Sequence, residues 1–185
     1  MIIVSFNTRE LLRECLEAVF RSMTKFNYEV MVVDNASQDG SAEMVISEFP
    51  RAKLIKNSEN VGYAKANNVA LRHAQGRYIL LLNSDVEIAD DTFDKMISLM
   101  DNDASVGIAG CKVVKSDGTM DKASRRSFPN LKNSLKHFLG LSSDYNLDLP
   151  DDEIAEVDAV MGAFMQIRQA VVDKIKTALG PGIEY

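Results

Sequence analysis

The order of short apolar runs and amphipathic stretches constrains the fold of this chain more than any other feature of its sequence. Each apolar run is followed by a polar turn and then by apolar residues at helical spacing; the runs cover residues 1–4, 30–33, 53–55 and 78–82. This alternation is typical of a parallel sheet whose strands are joined by crossover helices. We therefore predict an α/β fold with a Rossmann-type, mostly parallel sheet flanked by helices.

Capping residues mark where the connecting helices begin and end. Thr8 precedes a stretch with apolar residues at three-and-four spacing, and Ser41 begins the next helix. A third helix follows Gly62 and continues to about residue 75, because Gly76 ends it. The acidic residue Asp91 favours the start of a fourth helix, through about residue 100.

The second half of the chain has a less regular pattern. We predict a strand over 106–114 leading into a hairpin turn at 116–119, an acidic loop over 142–156, a strand and turn over 157–167, and a helix over 169–178. A length of 185 residues fits one domain. Within that single domain we predict two halves, residues 1–110 and residues 111–185.

Composition excludes some classes of function. A formal net charge of −6 argues against a general nucleic-acid binder, since phosphate backbones are held mainly by clustered Lys and Arg. The apolar runs are far shorter than the ~20 residues that cross a bilayer. Cys15 and Cys111 have the pattern of buried hydrophobic residues, which suits a reducing cytosol. We expect a cytoplasmic protein, with peripheral association at the inner face of the membrane left open.

Polar residues follow three of the predicted strands at the point where each one ends: Ser5 to Asn7, Asp34 to Ser37, and Asn83 to Asp85. The carboxyl ends of parallel strands meet at one edge, where ligands of open α/β sheets bind. A carboxylate after the second strand can accept hydrogen bonds from a base or ribose, and one after the fourth can hold a divalent cation. Taken alone, Asp34 or Asp85 is more often a cap than a ligand.

Four segments together resemble the family-2 glycosyltransferases, which have the GT-A fold, and among them the rhamnosyltransferase-like branch. The segments are residues 3–7 (IVSFN), 32–41 (VVDNASQDGS), 60–68 (NVGYAKANN) and 80–86 (LLLNSDV). A fifth, residues 160–168 (VMGAFMQIR), is similar to a strand on the acceptor side of the family. The resemblance covers most of the chain and implies a GT-A-like sheet that binds a nucleotide-sugar. Residues 1–110 would then form the nucleotide-sugar-binding half and residues 111–185 the acceptor-side half.

The resemblance assigns Asp34 to the nucleotide base, with Ser5, Asn7 and Asn35 around it. It places the stretch from residue 60 to 68 near the ribose and diphosphate, with Gly62, Lys65 and Asn67 as candidate contacts. A glycine there lets backbone N–H groups at a helix start approach a phosphate, although a simple helix-entry glycine is the alternative. A solvated helix lysine is likewise an alternative for Lys65.

Asn83, Ser84 and Asp85 occupy the position of the DxD motif of the family, with the first acid replaced by Asn. Asp85 is therefore the predicted metal ligand, for Mg²⁺ or Mn²⁺. Asn83 can hydrogen-bond the ribose or a metal-bound water but contributes no charge.

The general base of the family lies in a Glu-Asp pair downstream of the last helix, and this chain stops at Tyr185 without such a pair. We expect the base beyond Tyr185, in a longer protein. The alternative is a base within the chain, with Asp121, Asp158 and Glu184 as candidates, although Glu184 sits at a terminus and is a poor substitute.

The function that the resemblance implies is inverting transfer of a sugar from a nucleoside-diphosphate sugar to a glycan or lipid-linked acceptor in cell-surface polysaccharide synthesis. One alternative is a nucleotide-sugar-binding module without catalysis. A second is a nucleotidyltransferase, which is disfavoured because no glycine-rich phosphate loop follows the first strand.

Overall fold

A computed structural model describes residues 1–115, 117–121, 124 and 153–179, with the side chains of residues 176–179 excepted. In this part of the chain a six-stranded sheet has the order β3-β2-β1-β4-β6-β5. The strands are β1 Ile2–Ser5, β2 Val30–Asp34, β3 Ala52–Lys56, β4 Tyr78–Asn83, β5 Ile108–Ala109 and β6 Phe164–Arg168. The predicted α/β class, with a mostly parallel sheet flanked by helices, is confirmed.

The first four strands are parallel to one another, and their register fixes which residues share an edge. Ser5 pairs with Asp34, Asp34 with Lys56, and Val4 with Asn83. All five residues of β2 are buried, as expected for a strand covered on both faces. β6 returns antiparallel beside β4, and the short β5 pairs antiparallel with β6.

Helices pack on the sheet through their apolar positions. They are α1 Arg9–Arg21, α2 Ser41–Glu48, α3 Tyr63–Leu71, α4 Thr92–Asn102 and α5 Gln169–Leu179. One core cluster joins Ile2, Met31 and Val33 of the sheet to Ala66 and Ala70 of α3. The small alanines let α3 approach the sheet closely, which places its first turn near the carboxyl edge.

Two predicted elements are shorter in the structure than the sequence pattern indicates. α3 ends at Leu71 rather than about residue 75, and a turn with His73 N–H bonded to the Ala70 carbonyl follows it. The strand predicted over 106–114 is regular only at Ile108–Ala109. The hairpin beyond it is present as a bridge between Val114 and Met120, with Gly118 at a φ of 82°.

The chain divides into two compact units. One joins Met1–Ala109 to the chain from Gly162 onward, and the other spans Gly110–Met161. The first unit holds the whole sheet; the second holds the hairpin. The loop predicted over 142–156 lies largely outside the described residues, as does the terminus with Glu184. The division into halves at residue 110 stays a prediction.

A polar network at the amino end of β4 fixes the outer strands. Arg168 donates to the carbonyls of Val106 and Met100 and to the Tyr78 hydroxyl, which in turn donates to Asp101 at 2.6 Å. These contacts join β4, β6 and the end of α4 at the edge opposite the strand ends described next. Among the described residues, no helix combines the length and apolarity needed to cross a membrane.

Candidate functional site

The carboxyl edge of the sheet contains a point where neighbouring connections diverge. β1 is flanked by β2 on one side and by β4 on the other. The chain runs from β1 to β2 and on to β3 in one direction, and then crosses back over β1 to form β4. In open α/β sheets a crevice forms at such a point and receives the ligand. Ser5, Asp34 and Asn83 end the three strands around it.

Hydroxyl groups join the ends of β1 and β4. Ser5 Oγ lies 2.9 Å from Thr8 Oγ1, and Thr8 Oγ1 lies 3.0 Å from Ser84 Oγ. Thr8 stands at the predicted N-cap of α1, but its side chain makes no capping hydrogen bond. The sequence pattern identified Thr8 only as a cap, and nothing in the pattern indicated this bridge. The structure therefore brings the predicted Ser5 loop and Asn83-to-Asp85 loop together.

The loops after β1 and β2 are also bonded to each other. The Asn7 N–H donates to Ser37 Oγ at 3.0 Å, and Asn7 Oδ1 accepts from the Gln38 N–H at 2.8 Å. Asn7 adopts a left-handed φ of 53°, a conformation that asparagine tolerates. Asp39 accepts from the Arg9 N–H at 2.8 Å and so supplies the cap that Thr8 does not. The side-chain oxygen of Asn7 is thus occupied within the protein.

Asp34 is the most deeply buried acid of this edge, at 2% exposure. Its Oδ2 accepts from the Ser37 N–H at 3.2 Å, whereas its Oδ1 has no hydrogen-bond partner among the described residues. Buried polar atoms in folded proteins are almost always paired. An unpaired carboxylate oxygen at a ligand-binding edge is therefore a candidate acceptor for a ligand group.

Asn35 lies beside Asp34, is equally buried, and has its amide engaged with the loop after β3. Its Nδ2 donates to Asn60 Oδ1 at 2.6 Å, and its Oδ1 accepts from Asn57 Nδ2 at 3.0 Å and from the Val61 N–H at 3.2 Å. The sequence resemblance grouped Asn35 with the nucleotide contacts. The structure places its side chain against protein atoms.

The first turn of α3 faces the same edge. Gly62 precedes it with a φ of 84°, and its own N–H donates to Asn60 Oδ1 at 3.0 Å. The N–H groups of Tyr63 and Ala64 follow, at helix positions that have no intrahelical acceptor. Lys65 is exposed on this turn, while Asn67 is buried, with its Nδ2 on the Tyr63 carbonyl at 3.0 Å and its Oδ1 unpaired among the described residues.

Tyr63 connects α3 to the turn before β6. Its hydroxyl donates to the Gly162 carbonyl at 3.0 Å, and the next carbonyl, that of Ala163, accepts from the Asn83 N–H at 3.0 Å. Burial raises the pKa of Tyr63, and the negative charge of Asp85 adds to that effect. The phenol therefore lies near the acid predicted to hold a metal. Tyr63 lies within the segment 60–68, but the sequence pattern predicts no role for it.

Asp85 is exposed at the end of this edge, and Asn83 before it is half-buried. The Cys15 thiol points its hydrogen at the Asn83 carbonyl, with 3.6 Å between sulfur and oxygen. Burial raises the pKa of Cys15 to about 12, with smaller contributions from Asp85 and Glu87. The thiol is therefore protonated at neutral pH, as expected for a buried hydrophobic residue.

The oxygen donors at this position suit Mg²⁺ or Mn²⁺. Hard cations of this kind are commonly held by one or two carboxylates, with substrate phosphates and water completing the shell. Asp85 and Glu87 supply two carboxylates on one loop, and both act electrostatically on Cys15. Within the described residues no group of three or more His, Cys, Asp or Glu side chains is arranged to hold a metal. The residues fit a cation that shares its ligands with a diphosphate.

A cavity of about 380 Å³ opens at the opposite, amino edge of the sheet. Its walls include Met1, which precedes β1, together with Tyr28, Phe93 and the first residues of β4. None of the predicted site residues lines it. This cavity and the polar side chains of the predicted site lie at different edges of the sheet, and the polar side chains carry the chemistry.

Sequence comparison finds relatives among glycosyltransferases. The chain is 30% identical over 128 residues to TuaG of Bacillus subtilis (strain 168), a glycosyltransferase whose name refers to teichuronic acid biosynthesis, covering 66% of this chain and 50% of that protein. It is 29% identical over 126 residues to the O-antigen biosynthesis protein RfbC of Myxococcus xanthus, covering 66% of this chain and 10% of that protein. The chain thus spans half or less of these relatives.

Solved structures share the fold. A mannosyltransferase from Pyrobaculum calidifontis, PcManGT, in complex with GDP-Man and Mn²⁺ superposes with a TM-score of 0.64 at 21% identity, covering 94% of this chain and 45% of that one. S. aureus TarS 1-349 in complex with UDP-GlcNAc has a TM-score of 0.66 at 21% identity, covering 95% of this chain and 46% of that one.

The sequence matches the profile of glycosyl transferase family 2 over residues 1–175, which is nearly the whole chain. The fold, the order of motifs along the carboxyl edge and this match agree. The chain belongs to glycosyl transferase family 2.

Proposed function

We propose that this chain is the donor-binding core of an inverting glycosyltransferase that transfers a sugar from a nucleoside-diphosphate sugar to a glycan or lipid-linked acceptor in cell-surface polysaccharide synthesis. The relatives named for teichuronic acid and O-antigen biosynthesis support the pathway class. The complexes of PcManGT with GDP-Man and of TarS with UDP-GlcNAc support the class of donor.

The observation that carries the proposal is the unpaired oxygen of buried Asp34 at the carboxyl edge of the sheet. A nucleotide base or ribose offers N–H and O–H donors that satisfy such an acceptor. Phe6, 44% exposed on the neighbouring loop, offers an aromatic face on which a base can stack. Asp34 and Phe6 together form the proposed nucleoside end of the site.

The diphosphate end of the proposed site lies between α3 and the Asn83-to-Asp85 loop. The N–H groups of Tyr63 and Ala64 point out of the helix start, where the helix dipole favours an anion. Lys65 is exposed on the same turn. Asp85 would hold Mg²⁺ or Mn²⁺, which neutralises the charge of a departing nucleoside diphosphate. Ser5, through Thr8 and Ser84, joins the loop after β1 to the Asn83-to-Asp85 loop.

The acceptor side is proposed to involve residues 111–185. The general base is proposed to lie in a part that this chain does not cover, in line with its spanning half or less of the two relatives named above. A positioned base contributes about 10² to 10⁴-fold to rate. The chain alone is therefore expected to bind donor while transferring sugar slowly. A cytoplasmic location at the inner membrane face would suit a lipid-linked acceptor.

Calorimetric titration of the chain with UDP, GDP and dTDP, each with Mn²⁺ and with EDTA, tests the proposal. The resemblance to the rhamnosyltransferase-like branch is the reason to include dTDP. We expect one nucleotide to bind in a metal-dependent manner, and Asp85→Ala to weaken it more than Asn83→Ala, because only Asp85 offers a carboxylate.

Two results would contradict the proposal: absence of binding by all three nucleotides, or equal losses from the two substitutions. Sugar transfer is then measured for this chain and for a longer form of the protein, which distinguishes an enzyme from a binding module. Binding by both without transfer by either would favour the module.

A further inference from the structure

The asparagines around the start of α3 form a connected hydrogen-bond unit, the asparagine clamp, which consists of Asn35, Asn57 and Asn60. Asn35 is 2% exposed and sits at the centre. It reaches both ends of the loop, with Asn57 at the beginning and Asn60 and Val61 at the end. The Asn57 N–H also extends the β2–β3 ladder by donating to the Asp34 carbonyl at 2.9 Å.

Backbone donors fix the orientation of each amide in the clamp. The Val61 N–H can only donate, so the group of Asn35 that faces it at 3.2 Å must be the oxygen. The Gly62 N–H likewise requires the oxygen of Asn60 at 3.0 Å. Asn35 must then present its NH₂ group to Asn60, and Asn57 must present its NH₂ group to Asn35. The direction of every hydrogen bond in the clamp follows.

The clamp holds the backbone at the point where the chain enters α3. Gly62 has a φ of 84°, which places the following N–H groups of Tyr63 and Ala64 at the helix start. Because the Val61 and Gly62 N–H groups are bonded to the clamp, they are not directed at a ligand. Movement of the loop would change the direction of the helix start and its distance from Asp34.

We propose that Asn35 is a positioning residue for the nucleoside diphosphate, acting through the asparagine clamp on the first turn of α3, rather than a residue that contacts the nucleotide. The proposal rests on the proposed donor site. In this role Asn35 does not touch the nucleotide. It holds the first turn of α3, at the diphosphate end of the site, at a fixed distance from Asp34 at the nucleoside end.

Three substitutions that each add one negative charge to the asparagine clamp distinguish hydrogen-bond direction from electrostatics. Asn35→Asp and Asn57→Asp each replace an NH₂ donor by an oxygen that faces another oxygen. Asn60→Asp keeps the acceptor that both Asn35 and Gly62 require, and Asn60 is exposed, so its other atom meets water. All three variants add one negative charge near the proposed diphosphate.

We expect Asn35→Asp and Asn57→Asp to weaken nucleotide binding about 10-fold or more, and Asn60→Asp by less than about threefold, since an unmade buried hydrogen bond costs more than an exposed charge. The measurement is the Kd of the tightest of UDP, GDP and dTDP, with Mn²⁺, well below the unfolding temperature of every variant. The unfolding temperature itself should fall for Asn35→Asp and Asn57→Asp and change little for Asn60→Asp.

A control separates positioning from general loss of stability. Tyr78→Phe removes the hydrogen bond to Asp101 at the opposite edge, so it should lower the unfolding temperature while leaving the nucleotide Kd within about twofold. The proposal is overturned if Asn35→Asp binds nucleotide as Asn60→Asp does, or if it loses stability without losing affinity. Equal losses in all three clamp variants would assign the effect to charge and also overturn it. Failure of the unmodified chain to bind any of the three nucleotides would instead defeat the proposed function, and this proposal with it.

Discussion

Asp34 and Asn35 are adjacent and equally buried, but they differ in whether their side-chain oxygens have hydrogen-bond partners. Asn35 has bonded partners for its oxygen and its nitrogen, whereas one oxygen of Asp34 has none among the described residues. A buried acceptor without a partner costs free energy in the empty protein. A ligand that supplies the missing donor removes that cost, so Asp34 contributes to affinity for a reason that does not apply to its neighbour.

Asp34→Asn tests this role at constant size. The amide can still accept from the Ser37 N–H, but it loses the charge and offers only one acceptor atom. We expect nucleotide affinity to fall about 10-fold and stability to change little, because the unpaired buried oxygen is replaced by an equally unpaired buried NH₂ group. Isothermal titration and thermal unfolding measure both quantities.

Asp101→Asn is a matched control, since Asp101 binds Tyr78 and Arg77 at the far edge. It should lower stability and leave affinity unchanged. If Asp34→Asn lowers stability as Asp101→Asn does and leaves affinity intact, then Asp34 is a structural residue only.

At the scale of elements, the entry into α3 depends on a backbone conformation that ordinary residues avoid. Gly62 has a φ of 84°, yet a Cβ placed on it would meet no atom within 4 Å. The requirement is therefore purely conformational. Gly162, in the turn that Tyr63 bonds, also has open space around it but no positive φ.

Gly62→Ala and Gly162→Ala form a matched pair of substitutions: both sites have open space for a Cβ, but only Gly62 has a positive φ. The first should cost about 1 to 2 kcal/mol of unfolding free energy, and the second close to zero. Urea unfolding followed by circular dichroism gives both values. Equal stability of the two variants would show that the loop relaxes around Gly62 without strain.

Sequence patterns predicted most of the elements because apolar spacing reports burial directly. The strands of the parallel sheet and the starts of α2 and α4 follow from local residues alone. The length of β5 and the end of α3 do not follow from local residues, because both depend on contacts with other elements. In the site, the pattern located the loops but not the hydrogen bonds between them. Ser84 as the partner of Thr8, and Asn57 and Asn60 as the partners of Asn35, lie on other loops, so local residues do not reveal them.

At the scale of the whole molecule, the acidic composition shapes the response to pH. Several carboxylates have a pKa below the usual range. A hydrogen bond from Tyr78 lowers the pKa of Asp101, and one from Lys53 lowers that of Glu29. Burial alone would raise the pKa of Asp39, but hydrogen bonds from Ser41 and Arg9 outweigh it.

Stability should therefore decline in acid. Because the folded pKa lies below the unfolded value of about 3.9 for Asp or 4.3 for Glu, each group stabilises the fold above that value and loses this contribution as pH falls through the folded pKa. We expect a lower urea midpoint at pH 3 than at pH 6. Each contribution is small because the carboxylates are largely exposed. A midpoint independent of pH over this range would contradict the pKa directions.

The antiparallel return of β6 has a consequence for how the chain reaches its native state. Tyr78 and Arg168, which are 90 residues apart in sequence, meet where β4 pairs with β6. Contacts of such long sequence separation form late, because loop-closure entropy must be overcome first. Until then β4 is an unpaired edge strand of apolar residues, a template for pairing with another chain. Until β6 has left the ribosome, we therefore expect the β4 edge of the nascent chain to remain open to pairing with another chain.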